Sequence, residues 1–211
     1  RITRRDFVKA ASVSAAAAGF GLGATTTSGM LYRRLGRTGL MVSELGIGCS
    51  PHGQRKKFKP YCDAMPQVIR HGFDRGINVV DTGPSYRTQP MVGRALKGIK
   101  RDTFILCTKS EKVRKDQIVA ELEKSLRELQ TDYVDVLHEH AHYTTVQGAY
   151  GRLEFVEAAE QLRKQGKVRF FGAAGHNPDV LAEYIRTGKF DTVMVPFNYL
   201  TRRPAAELFP L

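Results

Sequence analysis

Short apolar runs alternate along this chain with amphipathic stretches of helical length, an order that restricts the fold to a parallel sheet with helices packed outside it. The runs fall near residues 45–49, 77–81, 104–109, 133–140, 168–173 and 192–197. Each is β-branched or aliphatic, short, and followed by polar sequence, as buried strands are. Parallel strands joined by helices bind ligands beyond their carboxyl ends, so residues far apart in sequence can meet at one site.

The intervening stretches read as helices on their own terms. Over Asp116 to Leu129, the apolar positions Ile118, Leu122, Leu126 and Leu129 form one stripe, with Glu121, Lys124 and Arg127 outside it. Leu153 to Gln165 turns Phe155, Ala159 and Leu162 inward and stops at Gly166, which tolerates a left-handed cap. Asn177-Pro178 supplies an N-cap and a first-turn proline for a helix through Ile185 that Gly188 ends. Val68 to Arg75 and Pro90 to Lys97 predict shorter helices on either side of the Ile77 strand.

Four polar residues, Asp81, Tyr86, Lys109 and His140, sit at or just past the carboxyl ends of three of these strands. Taken singly, each has a structural reading: a turn-capping Asp, a packed Tyr, a solvated Lys and a hydrogen-bonded core His. Together they have the makings of a proton relay. The segment His138-Glu139-His140-Ala141-His142 supports another class of chemistry, since three imidazoles at period two with a nearby carboxylate are a metal-ligand pattern, as in barrel-shaped metal-dependent hydrolases.

From about Leu31 to Leu200 the chain resembles the aldo-keto reductase family. The matching segments, in order, begin with Leu35-Gly36-Arg37-Thr38-Gly39-Leu40 and Val42-Ser43-Glu44-Leu45-Gly46, the hairpin that closes a barrel floor. Gly76-Ile77-Asn78 through Asp81-Thr82 and Ser85-Tyr86 come next, then Val92-Gly93-Arg94-Ala95-Leu96-Lys97-Gly98 and Thr108-Lys109. Ser125 to Leu129 with Asp132-Tyr133-Val134-Asp135, Gly166-Lys167-Val168-Arg169, and Phe197-Asn198 complete the set. The resemblance implies a TIM-type (β/α)8 barrel, of which this chain supplies six strands, and hydride transfer between NADPH, or NADH, and a small-molecule carbonyl or alcohol. It implies Tyr86 as general acid, with Lys109 lowering the phenol's pKa, Asp81 holding Lys109, and His140 orienting the substrate oxygen. Counting from Asp135 places the family's histidine at His140 rather than His138. The cofactor would lie against Gly48, Cys49, Asp81, Gly175 and Met194.

The chain departs from the family pattern where the nicotinamide amide is usually held. Ala174-Gly175 ahead of His176-Asn177 replaces Ser-Asn, and Met194 stands in place of Gln. These departures leave a second reading on the same barrel, a catalytically silent cofactor-binding protein. A (β/α) barrel needs about 250 residues, whereas roughly 180 follow residue 30, so the barrel domain over 31–211 is expected to be incomplete.

Thr3-Arg4-Arg5-Asp6-Phe7-Val8-Lys9, followed by the Ala- and Gly-rich run Ala10 to Ala24, resembles a twin-arginine export leader over residues 1–30. The run is shorter than the ~20 residues of a comfortable membrane span. The translocase would then be a partner and the periplasm the destination. Of the net charge of +12, the leader contributes +3, from Arg1, Arg4, Arg5 and Lys9 against Asp6. Arg55 to Lys59 and Lys109 to Lys115 hold further basic residues, without the aromatic interleaving a nucleic-acid platform needs. Cys49, Cys62 and Cys107 show no CxxC spacing and read as packing residues or free thiols, with a disulfide possible. Ser50 to Tyr61 and Ala141 to Gly151 are expected to shape the substrate pocket.

Overall fold

In the computed structural model, residues 24–25, 29–51, 58–141 and 153–211 are described. The leader and both substrate-shaping excursions therefore fall largely outside the described residues. Two short strands, β1 (Ala24–Thr25) and β2 (Leu31–Arg34), pair antiparallel, and β2 pairs in turn with β3 (Met41–Ser43). Six strands then form one parallel sheet in chain order: β4 (Gly46–Gly48), β5 (Val79–Asp81), β6 (Ile105–Ser110), β7 (Val134–Ala141), β8 (Val168–Gly175) and β9 (Thr192–Met194). All six expected strands are present.

The crossovers carry α1 (Phe58–Asp74), α2 (Gln89–Leu96), α3 (Lys115–Leu129), α4 (Leu153–Lys164) and α5 (Pro178–Arg186). Helix α1 begins ten residues before the expected Val68 and carries Pro66 inside it. Burial of Cys62, Met65 and Ile69 on one stripe outweighs the hydrogen bond that the proline cannot donate. Strand β9 ends three residues earlier than expected, since Pro196 has no N–H to extend the ladder. The short α6 (Arg203–Glu207) was not legible; it starts on a first-turn proline and carries an Arg203–Glu207 ion pair one turn apart.

The main core lies between the sheet and its helices, around Ile69, Val80, Leu106, Leu122, Phe155 and Phe171. Two glycines set how closely the layers approach. A Cβ on Gly72 of α1 would come within 2.6 Å of Ile47 Cδ1, and one on Gly93 of α2 would overlap the Glu128 carbonyl oxygen of α3. The opposite face of the sheet encloses a cavity of about 390 Å³, lined from both its first and last strands by Gly46 and by Thr192 and Met194, with Cys107, Val136 and His138 between. One cavity meeting both edge strands means that the sheet is curled into part of a barrel.

The amino ends of the strands are given to stability. Asn78 latches the β2–β3 hairpin onto β5: its Oδ1 accepts from Ser43 N at 2.8 Å, and its Nδ2 donates to Met41 O at 2.9 Å. Asp135, fully buried, accepts from Arg101 at 2.6 Å, Arg169 at 2.5 Å and the Leu106 amide at 2.9 Å. Among the described residues, no helix is long and apolar enough to cross a membrane.

Candidate active site

Parallel register brings the strand-end residues together. Gly48 pairs with Asp81, Asp81 with Cys107, Lys109 with His138, and His140 with Ala174. Lys109, 3% exposed, donates from Nζ to both carboxylate oxygens of Asp81, at 2.5 and 2.6 Å, and to the Thr82 carbonyl at 3.0 Å. The ammonium thus has a fixed direction and a fixed counter-charge. Burial pushes the Asp81 carboxyl above its ordinary value, and the Lys109 charge and hydrogen bond pull against that shift.

Tyr86 lies in a single 3-10 turn, Pro84–Tyr86, directly after β5. Its ring centroid is 5.1 Å from Lys109 Nζ and 6.4 Å from the His140 ring, which meets it edge-on. Asp81, Tyr86, Lys109 and His140 therefore do converge. The expected direction of the Tyr86 pKa is corrected, however. Burial raises it above its ordinary value of 10.0, Lys109 lowers it, Asp81 and Glu111 raise it, and the net direction is upward. Burial wins because the phenolate would lose more hydration than one ammonium, itself tied to Asp81, restores.

The turn bearing Tyr86 is anchored by residues that sequence reasoning missed. Thr88 Oγ1 donates to the Cys49 carbonyl at 2.8 Å, and Gln89 Nε2 donates to Thr108 Oγ1 at 2.9 Å from a buried position. Glu111 was missed as well. Its Oε1 lies 3.0 Å from His140 Nδ1. It lies just past the end of β6, two residues after Lys109, and its partner is 29 residues away in sequence.

The two histidines of β7 have different surroundings. His138 is buried with Nε2 3.3 Å from Thr192 Oγ1, and burial next to Lys109 and His140 lowers its pKa from 6.5 to about 3. It is a neutral core residue, whereas His140 reaches Tyr86. Among the described residues, no group of three or more His, Cys, Asp or Glu is placed to hold a metal ion. His142, the third member of the sequence cluster, lies outside them.

The expected cofactor contacts divide. Gly48 is at the carboxyl end of β4, and a Cβ there would meet open space. Gly175 ends β8 beside Ala141, and Met194 is 37% exposed on the edge strand β9. Cys49 needs correction: its side chain turns into the helix-side core, where burial drives the thiol up to about 12, and only its backbone stays at the strand ends. Asn177 Oδ1 accepts from Asp179 N at 3.0 Å and so caps α5, as the Asn177-Pro178 pair predicts. The three cysteines are buried free thiols.

The profile of the Aldo/keto reductase family matches residues 44–211, most of the chain. The chain belongs to this family. It is 30% identical over 197 residues to the uncharacterized oxidoreductase YqkF of Bacillus subtilis, covering 86% of this chain and 60% of that protein. The structure superposes on the holo form of aldo-keto reductase AKR11C1 from Bacillus halodurans with a TM-score of 0.72 at 31% identity, over 84% of this chain and 61% of that one. A Klebsiella pneumoniae aldo-keto reductase in complex with NADPH matches with a TM-score of 0.67 at 26% identity, over 82% of this chain and 60% of that one. The six-stranded sheet is thus part of a TIM-type barrel, and the chain spans about 60% of the length of these relatives.

Proposed function

We propose that this protein interconverts a carbonyl and an alcohol with a nicotinamide cofactor, NADPH favoured, and that Tyr86 gives or takes the proton at the reacting oxygen. One observation carries the reading: a buried, bidentate Asp81–Lys109 pair holds an ammonium 5.1 Å from the Tyr86 ring, with the His140 ring edge-on to that ring at 6.4 Å. The bound reduced cofactor would supply a hydride to the carbonyl carbon. Gly48, whose Cβ position meets open space beside the Asp81 strand end, and Met194, 37% exposed on the edge strand, would lie against that cofactor. In the reducing direction the carbonyl oxygen gains charge as it becomes an alkoxide, and Tyr86 Oη donates its proton to it. A phenol with a raised pKa is fully protonated at neutral pH, which suits a donor. Lys109 then stabilises the phenolate left behind, and Asp81 keeps Lys109 aimed and compensated.

The test is turnover of a carbonyl panel with NADPH by the purified protein. Tyr86→Phe is expected to lower kcat by about 10²-fold or more while nucleotide binding, followed by nicotinamide fluorescence, stays within about twofold. Nucleotide binding without turnover in the wild type would favour the silent binding protein.

We also propose that residues 1–30 direct export through the twin-arginine pathway, supported by Arg4-Arg5 ahead of the Ala-rich run. Replacing both arginines by lysine is expected to leave the protein in the cytoplasmic fraction. Equal periplasmic amounts of the two forms would end this proposal.

A further inference from the structure

The site holds a carboxylate that the proton-transfer account above does not use. Glu111 lies just past β6, two residues beyond Lys109, with Oε1 3.0 Å from His140 Nδ1. An ionised carboxylate only accepts hydrogen bonds, so the bond assigns the Nδ1 proton to His140. The partner nitrogen, Nε2, lies across the ring from Glu111. In a neutral ring Nε2 then carries a lone pair and accepts a hydrogen bond; it donates one only when the ring is an imidazolium. Glu111 supplies the charge that makes an imidazolium tolerable there, against the Lys109 ammonium nearby.

We infer that Glu111 is a positioning residue that fixes the tautomer of His140 and so links the direction of catalysis to His140 protonation. The charged ring donates Nε2–H to a carbonyl oxygen about to be reduced. The neutral ring accepts the O–H of an alcohol about to be oxidised. Around His140 among the described residues are Glu111 just past β6, Tyr86 from the turn after β5 and His138 on its own strand, with the Lys109–Asp81 pair set against the Tyr86 ring. Glu111 makes a direct ion pair with the imidazole when that ring is protonated.

This inference rests on the oxidoreductase reading, and its first test needs no turnover. Long-range ¹H–¹⁵N spectra of the intact protein are expected to show neutral His140 as the Nδ1–H tautomer, retained in Glu111→Gln, whose amide oxygen still accepts, and changed to Nε2–H in Glu111→Ala. In turnover, the alkaline limb of the reduction profile, where His140 loses its proton, is expected to move to lower pH in Glu111→Gln, which keeps the orientation but loses the charge. Glu111→Ala is expected to lower kcat for reduction by at least about tenfold with the KM for nucleotide unchanged. A neutral His140 carrying its proton on Nε2 in the wild type, or one tautomer common to all three proteins, would overturn the inference. The tautomer result stands even when no substrate is turned over, so its failure is distinguishable from that of the oxidoreductase reading.

Discussion

Arg87, the residue after Tyr86, holds φ +60° and ψ +20°, in the left-handed region that glycine favours. Its amide donates to the Pro84 carbonyl and closes the turn that presents the phenol. A side chain in this conformation costs about 1–2 kcal/mol, and a glycine's extra unfolded freedom costs about 0.5–1. Arg87→Gly is therefore expected to stabilise the fold by about 0.5–1 kcal/mol, and Arg87→Ala, which keeps the strain, to change it little. Urea denaturation of the two variants checks this; a midpoint for Arg87→Gly below that of Arg87→Ala would mean that the turn carries no strain. The site itself was partly legible residue by residue. Asp81, Tyr86, Lys109 and His140 follow from strand ends and the family resemblance, because strand ends are local features. Glu111, Thr88 and Gln89 act through partners 29, 39 and 19 residues away, and no local pattern names those partners.

At the level of elements, the strand and helix types follow from periodicity, and the differences arise where packing overrides a local rule. Pro66 sits inside α1 because the stripe of Cys62, Met65 and Ile69 is buried on both sides of it. Gly93 looks dispensable in sequence, in the middle of an amphipathic helix. In the structure it is where α2 meets the backbone of α3, with the Glu128 carbonyl and Leu129 against it. Backbone cannot move aside as a side-chain tip can, so Gly93→Ala is expected to destabilise by about 1–3 kcal/mol despite alanine's better helix propensity. A thermal midpoint equal to or above wild type would show that the helices separate without cost.

His138 makes the pH dependence of the whole molecule predictable. Its ordinary value is 6.5 and its folded value about 3, because burial beside Lys109 and His140 opposes a charge. Between these values the unfolded chain binds a proton that the folded chain does not, so stability falls as pH drops through that window. Taken alone, the shift corresponds to a loss on the order of 2 kcal/mol between pH 7 and pH 5. His138→Met should flatten that part of the curve in denaturant titrations at the two values. An unchanged slope would assign the dependence to other groups.

The sequence by itself determined the order of elements, the parallel sheet, the family and the four converging polar residues, because hydrophobic period and strand-end position are local properties of a chain. Only the tertiary structure decided which way Cys49 faces, that His138 is buried and neutral, that burial outweighs Lys109 at the phenol, and that Glu111 closes on His140. Those outcomes depend on how much water each group loses and on which distant group replaces it, and both are set by the curl of the sheet.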